Sequence, residues 1–138
     1  LDEATAKGLS LVLDLPESPL LVRIDLQAYH LILSNLVSNA VKYTPVGSIQ
    51  ILLHKQGRWA VLQVTDTGIG IPEAQISQIF TEFYRASNAR SSQIPGTGVG
   101  LAGIKELVDR FDGELEVVSE ENQGSKFTVR LPLFDRED

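Results

Sequence analysis

The chain has 138 residues, is 43% apolar and carries a formal charge of −6, the composition of a globular domain with a sizeable core. The acidic balance argues against a nucleic-acid or anionic-membrane surface, so an anionic ligand must be met by local cations or a metal ion. Cysteine is absent, which excludes disulfides and thiolate metal sites. No apolar run approaches the roughly 18 residues of a membrane span, and no signal-peptide pattern appears. Methionine is also absent, even at position 1, so the expectation is a fragment of a longer protein. Its expected location is cytoplasmic, with the parent's anchoring to a membrane left open.

In chain order, residues 9–15 alternate weakly and predict a strand. A turn follows over 16–19, and residues 20–24 predict a second short strand. Asp25 is a candidate N-cap for a long helix. In that helix Leu26, Tyr29, Leu33, Leu36, Val37, Ala40 and Val41 recur at helical spacing, and Pro45 and Gly47 end it. Residues 48–54 and 59–65 predict a hairpin across Gln56-Gly57-Arg58. Residues 72–80 predict a short helix with proline at its start. Residues 85–97 have no apolar period and are rich in Ser, Asn, Arg, Gln and Gly; a loop of this kind inside a compact domain often serves as a lid. Residues 98–111 predict a helix with Leu101, Ile104, Leu107 and Val108 on one face. Residues 114–118 and 125–131 predict two further strands joined around Asn122-Gln123-Gly124. The order β-β-α-β-β-α-lid-α-β-β is neither the βαβ alternation of a doubly wound sheet nor all-β. It predicts an α+β two-layer sandwich, a mixed and mostly antiparallel sheet covered on one face by three helices.

The stretch Asp66-Thr67-Gly68-Ile69-Gly70-Ile71-Pro72 is the most informative. Asp66 falls at the end of a strand, on the same face as Ala60, Leu62 and Val64. A carboxylate without a partner on an apolar face is costly, or takes up a proton. Asp66 therefore needs a donor, and glycines on either side of Ile69 let a flat ligand approach the backbone. The triplet Asp66-Thr67-Gly68 also spells the aspartic-protease signature. That chemistry needs two such aspartates sharing a proton; no second triplet occurs, and a homodimeric protease of that type would be all-β.

Asn35 and Asn39 stand four apart on the long helix and Lys42 three further on, all on one stripe. A solvated polar face is the ordinary reading of such a pair. The functional reading is a metal and phosphate site, because an amide oxygen is a hard neutral ligand suited to Mg²⁺ and Lys42 supplies a point charge for phosphates. Gly98-Val99-Gly100-Leu101-Ala102-Gly103 matches Gly-x-Gly-x-x-Gly, but the dinucleotide fingerprint follows a buried strand directly. Here a polar loop ending Ile94-Pro95-Gly96-Thr97 precedes it. What survives is a glycine turn entering a helix N-terminus, whose N–H groups face an anion. Arg85 and Arg90 lie at the start of the loop and within it; most lone surface arginines are only solvated, but on a lid beside a phosphate site they could clamp the γ-phosphate. His30 and His54 lack a carboxylate partner or ligand spacing and read as structural.

Taken in order, these features resemble the ATP-binding catalytic domain of sensor histidine kinases, within the Bergerat-fold ATPase superfamily. Asn35-Leu-Val-Ser-Asn39-Ala-Val-Lys42-Tyr43 resembles the family's N box and Asp66-Thr-Gly68-Ile-Gly70 its G1 box. Phe80-Thr-Glu-Phe83-Tyr-Arg85 resembles the F box, Gly96-Thr-Gly98-Val-Gly100-Leu101 the G2 box, and Gly124-Ser-Lys-Phe127 the last glycine box. The resemblance covers residues 8–134. It implies a single ATP-binding catalytic domain over 1–138, with residues 1–8 ending a linker from a phosphoacceptor domain and residues 85–97 forming the ATP lid.

The resemblance implies ATP and Mg²⁺ as cofactors. By it, Asp66 accepts a hydrogen bond from the adenine amino group, with Gly68, Ile69, Gly70 and Ile71 around it. Asn39 ligates Mg²⁺ bridging the phosphates, with Asn35 close by. Lys42 and Arg85 touch phosphates and share the catalytic role with Asn39, while Tyr43 lies along the nucleotide. Gly98, Val99, Gly100 and Leu101 hold phosphate oxygens through backbone N–H groups, with Thr97 beside them. Two departures stand out: Val99 replaces a usual leucine, and Gly103, where a larger aliphatic residue is common, is expected to weaken helix packing slightly. In hydrolytic members such as gyrase B and MutL, a glutamate four residues before the metal asparagine activates water. Here that position is Asn35, which cannot act as a general base, so phosphate is expected to go to a protein acceptor. The family's phosphorylated histidine lies on a separate helical domain in a setting that neither His30 nor His54 has. The expected partners are that domain, on the same chain or a dimer mate, and a downstream response regulator. The parent is expected to be a homodimer and the isolated domain a monomer. Two other functions fit less well. An anti-sigma-type serine kinase on the same fold would lack a His-Glu motif upstream in the full-length gene. A non-catalytic nucleotide-binding module would be favoured by failure to bind ATP analogues.

Overall fold

The structure, a computed structural model, describes residues 8–80 and 99–134, without the side chains of Val99 and Gly100. Asp25 does cap the long helix: its Oδ1 accepts the Ala28 N–H at 2.7 Å, opening α1 (Leu26–Lys42). The helix buries Ala28, Ile32, Leu36 and Ala40, a four-residue spacing that holds one stripe against the sheet. Leu26, grouped with that stripe from the sequence, is 82% exposed, because the first residue of α1 lies off the line through positions 28, 32, 36 and 40. At the other end the Tyr43 N–H bonds Asn39 O, just ahead of Pro45.

β2 (Ser48–Gln56) and β3 (Trp59–Asp66) form the antiparallel hairpin, turned at Gly57 with φ 61°. β5 (Gly124–Pro132) pairs antiparallel with β3, and β4 (Glu114–Glu120) with β5. β1 (Ser10–Asp14) runs parallel to β2 at the other edge, so the sheet order is β1-β2-β3-β5-β4. Ile49, Ile51, Leu62, Val64, Phe127 and Val129 form the inner face, packed against Ile32 and Leu36 of α1. α2 (Val99–Arg110) adds Ile104 and Val108 to the same core. On the opposite face Arg130 reaches Glu116 at 2.9 Å and Glu114 at 3.9 Å, beside the buried Val61. The layers are therefore two, as the sequence predicts.

Three local expectations change. Residues 20–24 are not a strand: they follow Pro16 and Pro19 and run past the end of β5, where a single bridge, Val22 to Leu133, is formed. The helix expected over 72–80 is a 3-10 helix, Glu73–Gln78, so the helical cover among the described residues is two α-helices and this shorter turn. The following Ile79 is buried and Phe80 meets Phe127 edge-on at 6.4 Å. Gly103 is exposed, with nothing within 4 Å of where a Cβ would stand. It therefore affects helix propensity and not packing. The predicted lid, residues 85–97, lies outside the described residues.

Candidate functional site

β3 delivers Asp66 to the inner face in register with Ile49 on one side and Ser125 on the other. The alternation of the strand put it there, and the carboxylate is 7% exposed. Its Oδ1 accepts two backbone N–H groups, from Gly68 at 2.9 Å and from Ser125 at 3.3 Å. No donor among the described residues stands in hydrogen-bond geometry to Oδ2. Burial pushes the Asp66 pKa up, while the Gly68 and Ser125 N–H groups and the Thr44 hydroxyl pull it back; burial wins, and the pKa lies above its ordinary value. One oxygen is thus anchored and the other is left as an acceptor in a site of low polarity.

The loop after Asp66 is held from both sides. Toward α1 and β2, the Ile69 N–H bonds Tyr43 O at 3.0 Å and the Thr67 N–H bonds Ser48 O at 3.1 Å. The Ser48 N–H in turn bonds Thr67 Oγ1 at 3.0 Å. Toward the β4–β5 turn, the Asn122 N–H bonds Ile69 O at 2.7 Å. The Ile71 N–H bonds Ser119 Oγ at 2.8 Å, and that hydroxyl shares a hydrogen bond with Ser125 Oγ at 2.8 Å. These bonds explain the glycines. A Cβ on Gly68 would strike the Tyr43 carbonyl, and one on Gly70, whose φ is +69°, would strike the Glu120 carbonyl. The sequence reading assigned these glycines to the approach of a flat ligand; the structure shows that the chain's own backbone already requires them.

The last two turns of α1 carry Asn35, Asn39 and Lys42, and Tyr43 follows as the C-cap. Asn35 donates its Nδ2 to Leu31 O at 2.8 Å, which spends an amide hydrogen on its own helix and leaves Oδ1 as acceptor. The Tyr43 carbonyl ties this end of α1 to Ile69, so Asn35, Asn39, Lys42 and Tyr43 and the stretch Asp66, Gly68, Ile69, Gly70 and Ile71 gather at one end of the two layers. Leu101 sits in the first turn of α2, partly buried against the core, where the opening N–H groups of a helix have no intrahelical partner. Arg85, Thr97 and Gly98 lie outside the described residues, and Val99 and Gly100 are placed only as the backbone that opens α2.

Among the described residues no group of three or more His, Cys, Asp or Glu side chains could hold a metal ion. A cation here would take amide oxygens from the protein and complete its shell from ligand and water, the habit of Mg²⁺. The amides of Asn35 and Asn39 fit that donor set.

Residues that the sequence reading passed over complete the site. Ser125 occupies the core-facing register of Phe127 and Val129, so strand alternation marks it as a polar residue in an apolar row. Ser119 carries no such signal, since its part depends on β4 lying beside β5. Thr44, fully buried at 0% exposure, follows the end of α1 and has no sequence signal either. A second cavity of about 350 Å³ lies at the other end of the sheet, near Ala60 and Leu131, and is lined almost wholly by aliphatic groups such as Val22, Ile24, Ile32 and Leu62. Tyr29 also lines it.

Residues 24–135 match the family model described as histidine kinase-, DNA gyrase B-, and HSP90-like ATPase. The sensor histidine kinase RcsC of Escherichia coli is 36% identical over 119 residues, which are 86% of this chain and 12% of RcsC. The chain therefore spans a small part of the length of that relative. Among solved structures, the mycobacterial sensor histidine kinase MprB is similar with a TM-score of 0.83 and 27% identity, over 96% of this chain and 89% of that one. Full-length ShkA in complex with AMPPNP is similar with a TM-score of 0.81 and 26% identity, over 96% of this chain and 27% of that one. With most of its length matched, the chain belongs to the histidine kinase-, DNA gyrase B- and HSP90-like ATPase family, and within it to the ATP-binding catalytic domains of sensor histidine kinases.

Proposed function

We propose that this chain binds Mg-ATP and gives its γ-phosphoryl group to a histidine on a separate dimerisation and phosphoacceptor domain, which serves a response regulator in a two-component system. The observation that carries the reading is Asp66, a buried carboxylate with Oδ1 held by two backbone N–H groups and Oδ2 left for a donor. An exocyclic amino group on a flat base is such a donor, and the structure of the similar ShkA was solved with AMPPNP. Asn39 and Asn35 supply neutral oxygens for Mg²⁺, which when bound neutralises phosphate charge. Lys42 adds a point charge, and Tyr43 flanks the nucleotide. Ile69 and Ile71 line the base pocket with Gly68 and Gly70. The opening N–H groups of α2, with Thr97, Gly98, Val99, Gly100 and Leu101, cradle phosphate oxygens, and Arg85 approaches them from the lid over 85–97.

Asn35 also supports transfer over hydrolysis. An amide has no basic lone pair near neutral pH, and this one donates to Leu31 O, so it cannot take a proton from attacking water. Catalysis then rests on positioning and charge, and the acceptor histidine comes from another domain of the same chain or of a homodimer mate. Calorimetric titration with AMPPNP, with and without Mg²⁺, tests the binding half. Saturable binding strengthened by Mg²⁺ is expected; no binding at millimolar nucleotide would sink the proposal. Mixing the chain with Mg-ATP and a phosphoacceptor domain tests the transfer half, where acid-labile phosphohistidine is the expected product.

A further inference from the structure

Thr44 is the first residue beyond the C-cap of α1, and its side chain has no access to solvent. Its Oγ1 has no hydrogen-bond partner among the described residues. A buried hydroxyl in that condition is costly, and an isosteric valine would fill the same space without the cost. The position of the hydroxyl explains its presence. A Cβ on Gly68 would come within 2.8 Å of Thr44 Oγ1, so the hydroxyl lies against the residue whose N–H holds Asp66 Oδ1. It is also close enough to Asp66 to favour the charged carboxylate, although not in hydrogen-bond geometry to it.

We propose that Thr44 is a positioning residue for base recognition: its hydroxyl turns to donate to the Asp66 carboxylate when that carboxylate takes the amino group of the bound base, and it thereby orients the acceptor. This rests on the reading of Asp66 as the adenine acceptor. The backbone N–H groups of Gly68 and Ser125 both converge on Oδ1 and so fix one oxygen without fixing the tilt of the carboxylate plane. A third donor from the α1 side supplies that restraint. The hydroxyl has no partner among the described residues and gains one when it donates to the carboxylate, so binding of the base relieves its cost. A side chain kept only for packing would show the opposite economy, since valine packs as well.

The test compares Thr44→Val, Thr44→Ser and Asp66→Ala, each titrated calorimetrically with AMPPNP and with purine riboside 5′-triphosphate, which lacks the 6-amino group. Thr44→Val is expected to melt at the same temperature as the unaltered chain or higher, and to bind AMPPNP more weakly by roughly tenfold or more, the loss of one hydrogen bond to a charged carboxylate. It should bind the analogue without the amino group unchanged, and Thr44→Ser should restore AMPPNP binding. If Thr44→Val weakens both nucleotides equally, the hydroxyl serves the shape of the pocket and the proposal fails. If Thr44→Val binds AMPPNP normally while Asp66→Ala does not, Thr44 has no part in recognition and the role of Asp66 stands. If Asp66→Ala itself binds AMPPNP normally, the underlying reading falls and takes this proposal with it. Should Thr44→Val not fold, Thr44→Ala is read against the same pair of nucleotides.

Discussion

Replacing Asp66 with asparagine should change which base the site accepts. Oδ1 accepts the N–H groups of Gly68 and Ser125 at 2.9 and 3.3 Å, and only a carbonyl oxygen can take that place. The amide of an Asp66→Asn chain must therefore put its oxygen where Oδ1 stands and its NH₂ where Oδ2 stands. A donor then meets the 6-amino group of adenine, which is also a donor, and the charge-assisted hydrogen bond is lost. Such a bond contributes about 1.5–3 kcal/mol, which corresponds to roughly ten- to hundredfold weaker binding of AMPPNP. A 6-keto purine has an acceptor at that position, so inosine triphosphate should bind the variant better than it binds the unaltered chain. Calorimetric titration of both proteins with both nucleotides measures the exchange. An Asp66→Asn chain that binds AMPPNP at full strength and gains nothing for inosine triphosphate would refute the assignment of Asp66 to the base.

The same substitution carries a pH signature in the unliganded chain. The folded-state pKa of Asp66 is raised by burial, so its contribution to stability is fullest below the unfolded value of about 4 and is lost as pH rises through the folded value. Once ionised, the buried carboxylate costs stability that an uncharged amide does not. The melting temperature of Asp66→Asn relative to the unaltered chain should therefore rise as pH increases from about 4; a difference that stays constant as pH rises would show that Asp66 titrates normally.

Other outcomes follow from single contacts. Asn39→Ala should abolish the enhancement of nucleotide binding by Mg²⁺ while leaving metal-free binding in place, and unchanged metal dependence would remove Asn39 from the metal site. Gly70→Ala combines a left-handed φ with a collision at the Glu120 carbonyl; a loss of more than about 2 kcal/mol of folding stability is expected in urea denaturation, and a near-neutral result would mean that the loop can move away from the β4–β5 turn. Gly103→Ala meets open space within a helix and should stabilise the fold by about 0.5–1 kcal/mol. A destabilised Gly103→Ala chain would mean that the position is packed after all.

Much of this architecture is legible in the order of residues because it depends on neighbours along the chain. The N-cap at Asp25, the hairpin across Gly57 and the placement of Asp66 on an apolar strand face all follow from local chemistry and the periods of helix and strand. Each is present in the fold. The five boxes likewise pointed to the family that the comparisons show. Where local signals were weak, the sequence reading erred: residues 20–24 have strand-like composition but meet only one bridging partner, and residues 72–80 are apolar enough for a helix but form a 3-10 turn.

The two glycines after Asp66 mark the boundary between what is local and what is not. The sequence by itself marks Gly68 and Gly70 as positions where a group can come close to the backbone, and suggests a flat ligand as that group. The approaching groups are the carbonyls of Tyr43 and Glu120, far away along the chain in opposite directions, and they arrive only because α1 ends beside β3 and β4 is joined to β3 through β5. Strand order and the meeting of Thr44, Ser119 and Ser125 around Asp66 are decided in the same way. Hydrogen bonds and steric contacts act over a few ångströms in space, whatever the separation in sequence. The acceptor therefore belongs to the local sequence, and its orientation to the tertiary fold.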